Sequence, residues 1–333
     1  MVPSFISKIS RVLGVAAFFC LFSLHAYPEQ VNINLGGRGI SGSFFPTAGT
    51  IASAVNRNSG LHDLQVSVKS RQESASIIHD VISGTLDFGV ARMSHIFQAF
   101  NGMGEWERNP QKHLRSVLNT SGELVALIAS VTSEIKTVDD LRGRRVFIGT
   151  AQSSLSQTVT DILAASGINP VDDLTIIGGA TEEAPGMLID REIDAFFYII
   201  GITNRSFLEL MSDNKQIRFI SLAGHGIDEM IENDPFYEKA RLGGYSQPFG
   251  PKRPEAQVVN VKKGLITTSN VNENVTYILT REVFSNIGIY AKQHPAARIL
   301  TNSEMTKDMA APVHSGAVKY FLESGIIYNV LKQ

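Results

Sequence analysis

The sequence predicts an α/β fold of two lobes, each a mainly parallel sheet flanked by helices, on three observations. From Val31 onward, short apolar runs alternate with amphipathic segments, the pattern of strands and helices in turn. A strand, a glycine-containing turn and a helix start follow one another at 35–49 and again at 145–154, so one unit occurs twice. Hydrophobic residues make up 43% of the 333 positions, enough to fill two separate cores.

Taken in order, the first strand is expected over 31–35, followed by a turn rich in glycine. A helix follows with Ala48, Ile51, Ala52 and Val55 at i, i+3, i+4 and i+7. Ser43 suits its N-cap, and Pro46 suits its first turn, where a missing N–H costs nothing. A strand at 65–68 leads to a helix through Ile77, Ile78, Val81 and Ile82 that Gly84 stops, and a strand at 86–91 completes a β-α-β-α-β lobe. A new register begins near Leu114: Val117, Leu118 and the run 124–129 read as buried strand, and 137–143 as a short capped helix. Strand 145–148 precedes a helix through Val159, Ile162 and Leu163, closed by Gly167. Strand 174–177, helix 182–189 and strand 195–200 finish the second unit. Residues 224–254, rich in Gly, Pro and charge, read as loops around short helices where the chain crosses between lobes. A strand at 258–267 and amphipathic helices at 274–289 and 316–323 close the chain. Lobe 1 is therefore assigned to 27–122 and 258–333, lobe 2 to 123–257, and the hinge to the neighbourhood of Gly122 and Val258.

Ahead of the first strand, Lys8 and Arg11 precede an apolar run at 12–24, too short for the roughly 20 residues of a membrane-spanning helix. With Leu24-His25-Ala26 as the cleavage site, 1–26 reads as a secretory signal peptide, which places the mature chain in the periplasm with no direct membrane insertion. Retention of the segment as an anchor is the alternative. The leader carries both basic residues and no acid, so its removal moves the net charge from −2 to −4. No basic stripe marks a nucleic-acid surface. The only cysteine, Cys20, leaves with the leader, which excludes disulfides, thiolate catalysis and cysteine-based metal sites from the mature chain.

The glycine turn decides between two function classes. Gly37, Gly39 and Gly42 have the G-x-G-x-x-G spacing of a dinucleotide site, yet the same helix N-terminus would hold the carboxylate of a small solute. A ribose-binding acid should close the second strand, and that strand ends at Val68-Lys69. The chain also has no Gly-x-Ser-x-Gly elbow, no His-Glu-x-x-His helix and no Walker lysine, and the histidines are scattered without ligand spacing. The reading is therefore a non-enzyme without cofactor or metal, which closes two lobes over a ligand. A dinucleotide-binding oxidoreductase is the weaker alternative.

Specific residues resemble the TAXI-type substrate-binding proteins of tripartite ATP-independent periplasmic (TRAP) transporters. The resemblance rests on 39–49, on Ala99-Phe100-Asn101-Gly102 and on Asp139-Asp140-Leu141-Arg142-Gly143-Arg144-Arg145-Val146. It continues in 149–154, in Ile193-Asp194-Ala195-Phe196-Phe197 with Gly201 and Asn204, and in His314-Ser315-Gly316-Ala317 with Tyr320, Glu323 and Gly325. It implies a two-lobed periplasmic-binding-protein (type II) fold and delivery of a small organic anion, such as glutamate or 2-oxoglutarate, to a TRAP membrane permease. A sensor that docks on a receptor kinase would have the same cleft. Where the family shows Gln-Ser-Asp after the third strand, this chain has Arg92-Met93-Ser94, a more cationic corner.

Arg92 is thus the leading ligand candidate, since a guanidinium at a strand end grips a carboxylate with a planar fork of donors; a structural ion pair is the other reading. Arg38, Ser41, Gly42 and Ser43 in the first turn, Ser74 at the next helix start, and Ser153 with Ser154 in the second lobe could bind the same anion or cap helices. Phe44 could wall the cleft or enter the core. The Tyr198 hydroxyl ends an apolar strand and needs a partner, for which a cleft ligand or Asn204 would serve.

Overall fold

The computed structural model describes residues 30–38, 44–71, 73–151, 153–200, 207, 209–210, 217–242, 255–286, 288 and 301–331. The expected leader lies outside them, and no helix of the described residues is long and apolar enough to cross a membrane. Among the described residues, ten strands form one sheet: β1 Val31–Arg38, β2 Leu64–Arg71, β3 Phe88–Arg92, β4 Leu114–Ser130, β5 Arg145–Phe147, β6 Thr175–Ile177, β7 Ala195–Ile200, β8 Ile217–Ile220, β9 Tyr237–Leu242 and β10 Ala256–Thr268. The order is β2-β1-β3-β10-β4-β7-β5-β6, with β8 on β4 and β9 on β10.

Each end of the sheet is a parallel trio, β2-β1-β3 and β6-β5-β7. Two long strands join them. β4 has 17 residues and β10 has 13, and they pair antiparallel with each other and with both trios. The two-lobed α/β architecture expected from the sequence is therefore present, with one correction. The crossing is built from β4 and β10, while 224–254 contributes α8 His225–Asn233 and a sheet strand, β9, rather than loops alone. β4 runs unbroken across the polar stretch 119–123 between the two expected segments because β10 pairs with it on both sides of that stretch, while Leu114, Val117 and Leu118 bury at one end and 124–129 at the other.

Helices cover both faces. α1 Phe44–Asn56, α2 Ser59–His62, α3 Ser74–Ser83 and α4 Met93–Asn101 belong to the first trio, and α5 Ser154–Ala165, α6 Pro170–Asp173 and α7 Ala184–Ile189 to the second. α9 Glu273–Ser285, α10 Asn302–Thr306 and α11 Ser315–Glu323 return to the first trio. Four apolar cores result, one on each face of each lobe. Ala48, Ile51 and Leu279 share the first with Leu35, Val90 and Leu265, while Ile77, Ile96 and Trp106 fill the core on the opposite face with Ile266. In the second lobe, Leu155 and Val159 pack with Val259 and Val261, and Phe196, Tyr198 and Phe207 pack behind with Val258.

Two glycine readings change. Gly36 and Gly37 lie in β1, paired with Lys69 and Ser70, so the strand is longer than expected. At Gly36 a Cβ would sit 2.5 Å from Leu86 Cδ1, so close packing uses this glycine. The His314 to Ala317 motif is also structural. His314 caps α11 by accepting from the Gly316 N–H at 3.1 Å, which leaves its Nε2–H to donate to the Val271 carbonyl at 3.1 Å.

Candidate functional site

Side-chain alternation on β10 identifies one unusual position. Val259 and Val261 face the core shared with α5, and Leu265 faces the core shared with α1. Lys263 continues this odd-numbered series and is fully buried in the seam between the two cores. Directly across the antiparallel ladder stands Arg92, the last residue of β3, only 4% exposed. Opposite residues on such a ladder stand about 5 Å apart at Cβ, and two like charges there repel. Glu123 of β4, paired in register with Val261, brings a buried carboxylate to the same seam.

Arg92 reaches from one lobe into the other. Its backbone N–H donates to Ser74 Oγ at 3.2 Å, which ties the strand end to the start of α3. From Nη1 it donates to the Ser154 carbonyl at 3.5 Å and Gln157 Oε1 at 3.3 Å, and from Nη2 to Thr158 Oγ1 at 3.0 Å and the Tyr237 hydroxyl at 3.3 Å. All four acceptors are neutral. The buried Nε–H has no hydrogen-bond partner among the described residues. A buried guanidinium held only by dipoles, with a donor to spare, is a charge that still wants an anion.

Lys263 Nζ donates to Thr47 Oγ1, in the first turn of α1, at 3.4 Å. Burial pulls its pKa down to about 8, and the Glu123 charge opposes that fall. Ser154, the first residue of α5, donates from Oγ to Glu123 Oε2 at 3.2 Å. The Tyr237 hydroxyl donates a hydrogen bond to Asp161 Oδ2 at 2.5 Å, and burial raises its pKa while Arg92 opposes the rise. The first turns of α1 and α5 thus meet this seam from opposite lobes, and α3 holds the Arg92 backbone. N-terminal turns carry partial positive charge and free N–H groups, so the ends of these helices reinforce the two cations. Such a cluster can bind and enclose a small anion.

The expected residues divide clearly. Arg92, Ser74 and Ser154 come together here. Ser153 stands beside them as the N-cap of α5, accepting from the Ser156 N–H at 3.1 Å. Tyr198 lies on the other face of β7, fully buried, edge-on to Phe196 and stacked on Phe207 at 4.6 Å between centroids. Burial in that apolar core raises its pKa. Ser41, Gly42, Ser43, Asn204 and the side chains of Arg38 and Phe44 lie outside the described residues. Arg71, the last residue of β2, is paired with Asp80.

Sequence reasoning missed Lys263, Glu123, Thr47, Thr158 and Tyr237. One signal was available. Lys262-Lys263 interrupts an otherwise apolar strand, and alternation forces one of two adjacent lysines inward. A separate open groove of about 640 Å³ lies at the start of α11, lined by Arg115, His314 and Lys319 among others. Arg115 there already donates to the carbonyls of Lys112 and Leu114, and His314 is engaged as a cap.

Residues 35–325 match the NMT1-like family. Among solved structures, the chain is similar to the alkanesulfonate-binding protein SsuA from Xanthomonas axonopodis pv. citri bound to MOPS, at 13% identity over 81% of this chain and 78% of that one, with a TM-score of 0.41. The periplasmic aliphatic sulphonate binding protein SsuA from Escherichia coli matches at 12% identity over 88% and 83%, with a TM-score of 0.46. A binding protein component of an ABC phosphonate transporter from Pseudomonas aeruginosa matches at 16% identity over 80% and 78%, with a TM-score of 0.45.

Proposed function

Because the chain belongs to the NMT1-like family, we propose that it is an extracytoplasmic solute-binding protein that captures a small organic anion between its lobes and leaves it chemically unchanged. The observation that carries this reading is the buried Arg92 guanidinium. It bridges the lobes from β3 to α5, has no carboxylate among its hydrogen-bond partners, and keeps one donor unused. A charge placed there costs stability unless a ligand repays it, and a ligand contacted from both lobes favours the closed form over the open one.

The finer parts of the proposal come from sequence. Lobe 1 comprises 27–122 and 258–333, lobe 2 comprises 123–257, and closure turns about the β4 and β10 crossing near Gly122 and Val258. The leader at 1–26 directs the chain to the periplasm. The TAXI-like motifs make a TRAP-type permease the proposed recipient, and an amino acid or dicarboxylate such as glutamate or 2-oxoglutarate the proposed cargo. The turn residues Arg38, Ser41, Gly42, Ser43 and Phe44, with Asn204 from the second lobe, complete the proposed contacts around Arg92, Ser74 and Ser154.

A thermal-shift screen with amino acids, 2-oxo acids, dicarboxylates and sulfonates tests the reading, since a ligand that binds only the folded state raises its melting temperature. At least one anion class should raise it in a concentration-dependent way, and calorimetry should give a single site. A flat response to every anion, or turnover of a bound nucleotide, would overturn it.

A further inference from the structure

Arg92 meets α5 along a single stripe of that helix. Its Nη atoms donate to the Ser154 carbonyl, Gln157 Oε1 and Thr158 Oγ1, and its fourth acceptor, the Tyr237 hydroxyl, is bound in turn to Asp161. Positions 154, 157, 158 and 161 stand at i, i+3, i+4 and i+7 of α5, so one helix face carries the whole set. A guanidinium has five N–H donors, four of them on its two Nη atoms. The bonds to lobe 2 therefore take up the outer fork, and the buried Nε–H is the donor left without a hydrogen-bond partner among the described residues. The fork that the sequence offers to the ligand grips α5 instead. Both hydroxyls on Nη2 are also fixed in direction. Thr158 donates its proton to the Ser154 carbonyl at 2.9 Å and Tyr237 donates its own to Asp161, so each turns a lone pair to Arg92 and can only accept there.

From this arrangement we propose that Thr158 and Tyr237 are positioning residues for anion binding: they hold the Arg92 fork on α5 and turn its Nε–H edge to the ligand, which meets the guanidinium at that one donor. The inference rests on the anion-binding reading above and adds how its anchor is held. Thr158 is fully buried and Tyr237 nearly so, and both act through Arg92 rather than by touching the ligand. Asp161 acts one step further out, through the hydroxyl it orients. The two residues belong to lobe 2 and Arg92 to lobe 1, so the anchor is complete only while α5 lies against the end of β3. Parting the lobes frees the fork, and a freed arginine spreads over its rotamers and loses its hold on the ligand. Assembly of the anchor and enclosure of the anion are then one event.

Calorimetry on the full protein with glutamate, 2-oxoglutarate and ethanesulfonate as probes tests this through a double-mutant cycle. Tyr237→Phe and Thr158→Val each remove one Nη2 acceptor with little change of shape. Each should weaken a probe that binds the wild-type chain by about five- to tenfold, and neither should weaken it further in the Arg92→Met background, where there is no fork to hold. A merely structural role lowers affinity equally in both backgrounds. That additive result, or unchanged affinity in the wild-type background, would overturn the inference and leave the binding-protein reading standing. The second measurement needs no ligand. In ¹⁵N NMR of the Arg92 side chain, bonds from both Nη atoms slow rotation about the Cζ–Nη bonds and keep the Nη signals apart, and either substitution should broaden or merge them. Signals that stay apart in both variants would overturn the held fork. Absence of binding by every probe would overturn both the inference and the reading beneath it.

Discussion

Replacing Arg92 with methionine should separate what this residue does for the ligand from what it does for the fold. Methionine keeps much of the buried volume and removes the charge. Four hydrogen bonds are lost, at 3.0 to 3.5 Å, and only the bond to Thr158 is well within the usual range. The acceptors left behind are not stranded, because Thr158 Oγ1 still donates to the Ser154 carbonyl at 2.9 Å and Tyr237 still donates to Asp161. Against that loss, of about 2 to 4 kcal/mol in total, stands relief of the desolvation penalty of a buried cation without a carboxylate, several kcal/mol in its own right. The two nearly cancel, so stability should change by no more than about 2 kcal/mol. Anion affinity has no such compensation and should fall about 10- to 100-fold, the 1.5 to 3 kcal/mol of a charged hydrogen bond. Urea unfolding followed by Trp106, the only tryptophan and 2% exposed, reads the first quantity, and calorimetry the second. Unchanged affinity would remove Arg92 from the site. A loss of more than about 4 kcal/mol in stability would show that its bonds are structural and that the cancellation argued above does not occur.

Three further outcomes follow from the same geometry. Because burial holds Lys263 at about 8 while the unfolded side chain titrates near 10.5, the unfolded state binds more protons between these values, and stability should rise with pH across that window by about 3 kcal/mol. Below pH 8 both states hold the proton and the slope vanishes, so urea midpoints of wild type and Lys263→Met should diverge in slope only above pH 8; parallel curves would refute the burial of a charged amine. Gly122→Ala would place a Cβ 1.9 Å from Asn260 Oδ1 and 2.8 Å from the Val261 carbonyl, and the carbonyl cannot move without breaking the β4–β10 crossing, so destabilisation of about 1 to 3 kcal/mol is expected, against an unchanged urea midpoint if the crossing is pliable. Tyr198→Phe should leave anion affinity within twofold, because the ring packs on the face of β7 away from Arg92; a larger loss by calorimetry would return its hydroxyl to the ligand shell.

Local periodicity was enough to read the trios, the helices between them and the stops at Gly84 and Gly167, because those features depend on residues within a turn or two of each other. Gly84 and Gly167 do take the left-handed conformation, at φ of 79° and 66°. Periodicity could not show that β4 is one strand, since its middle, 119–123, is polar and only the neighbouring strands make it extended. The site divides in the same way. Arg92, Ser74 and Ser154 sit at strand and helix ends, where sequence marks a place for a ligand. Lys263 and Glu123 sit inside strands, 140 positions apart in the chain, and nothing near either one records the other. By itself, then, the sequence determined the strands of the two trios with the helices between them, the repeated strand-turn-helix device and a cationic corner at Arg92. Only the tertiary structure decided that β10 returns between β3 and β4, which sets Lys263 opposite Arg92 and leaves Glu123 beside them. The physical reason is that secondary structure answers to neighbours in the chain, whereas buried charge answers to neighbours in space.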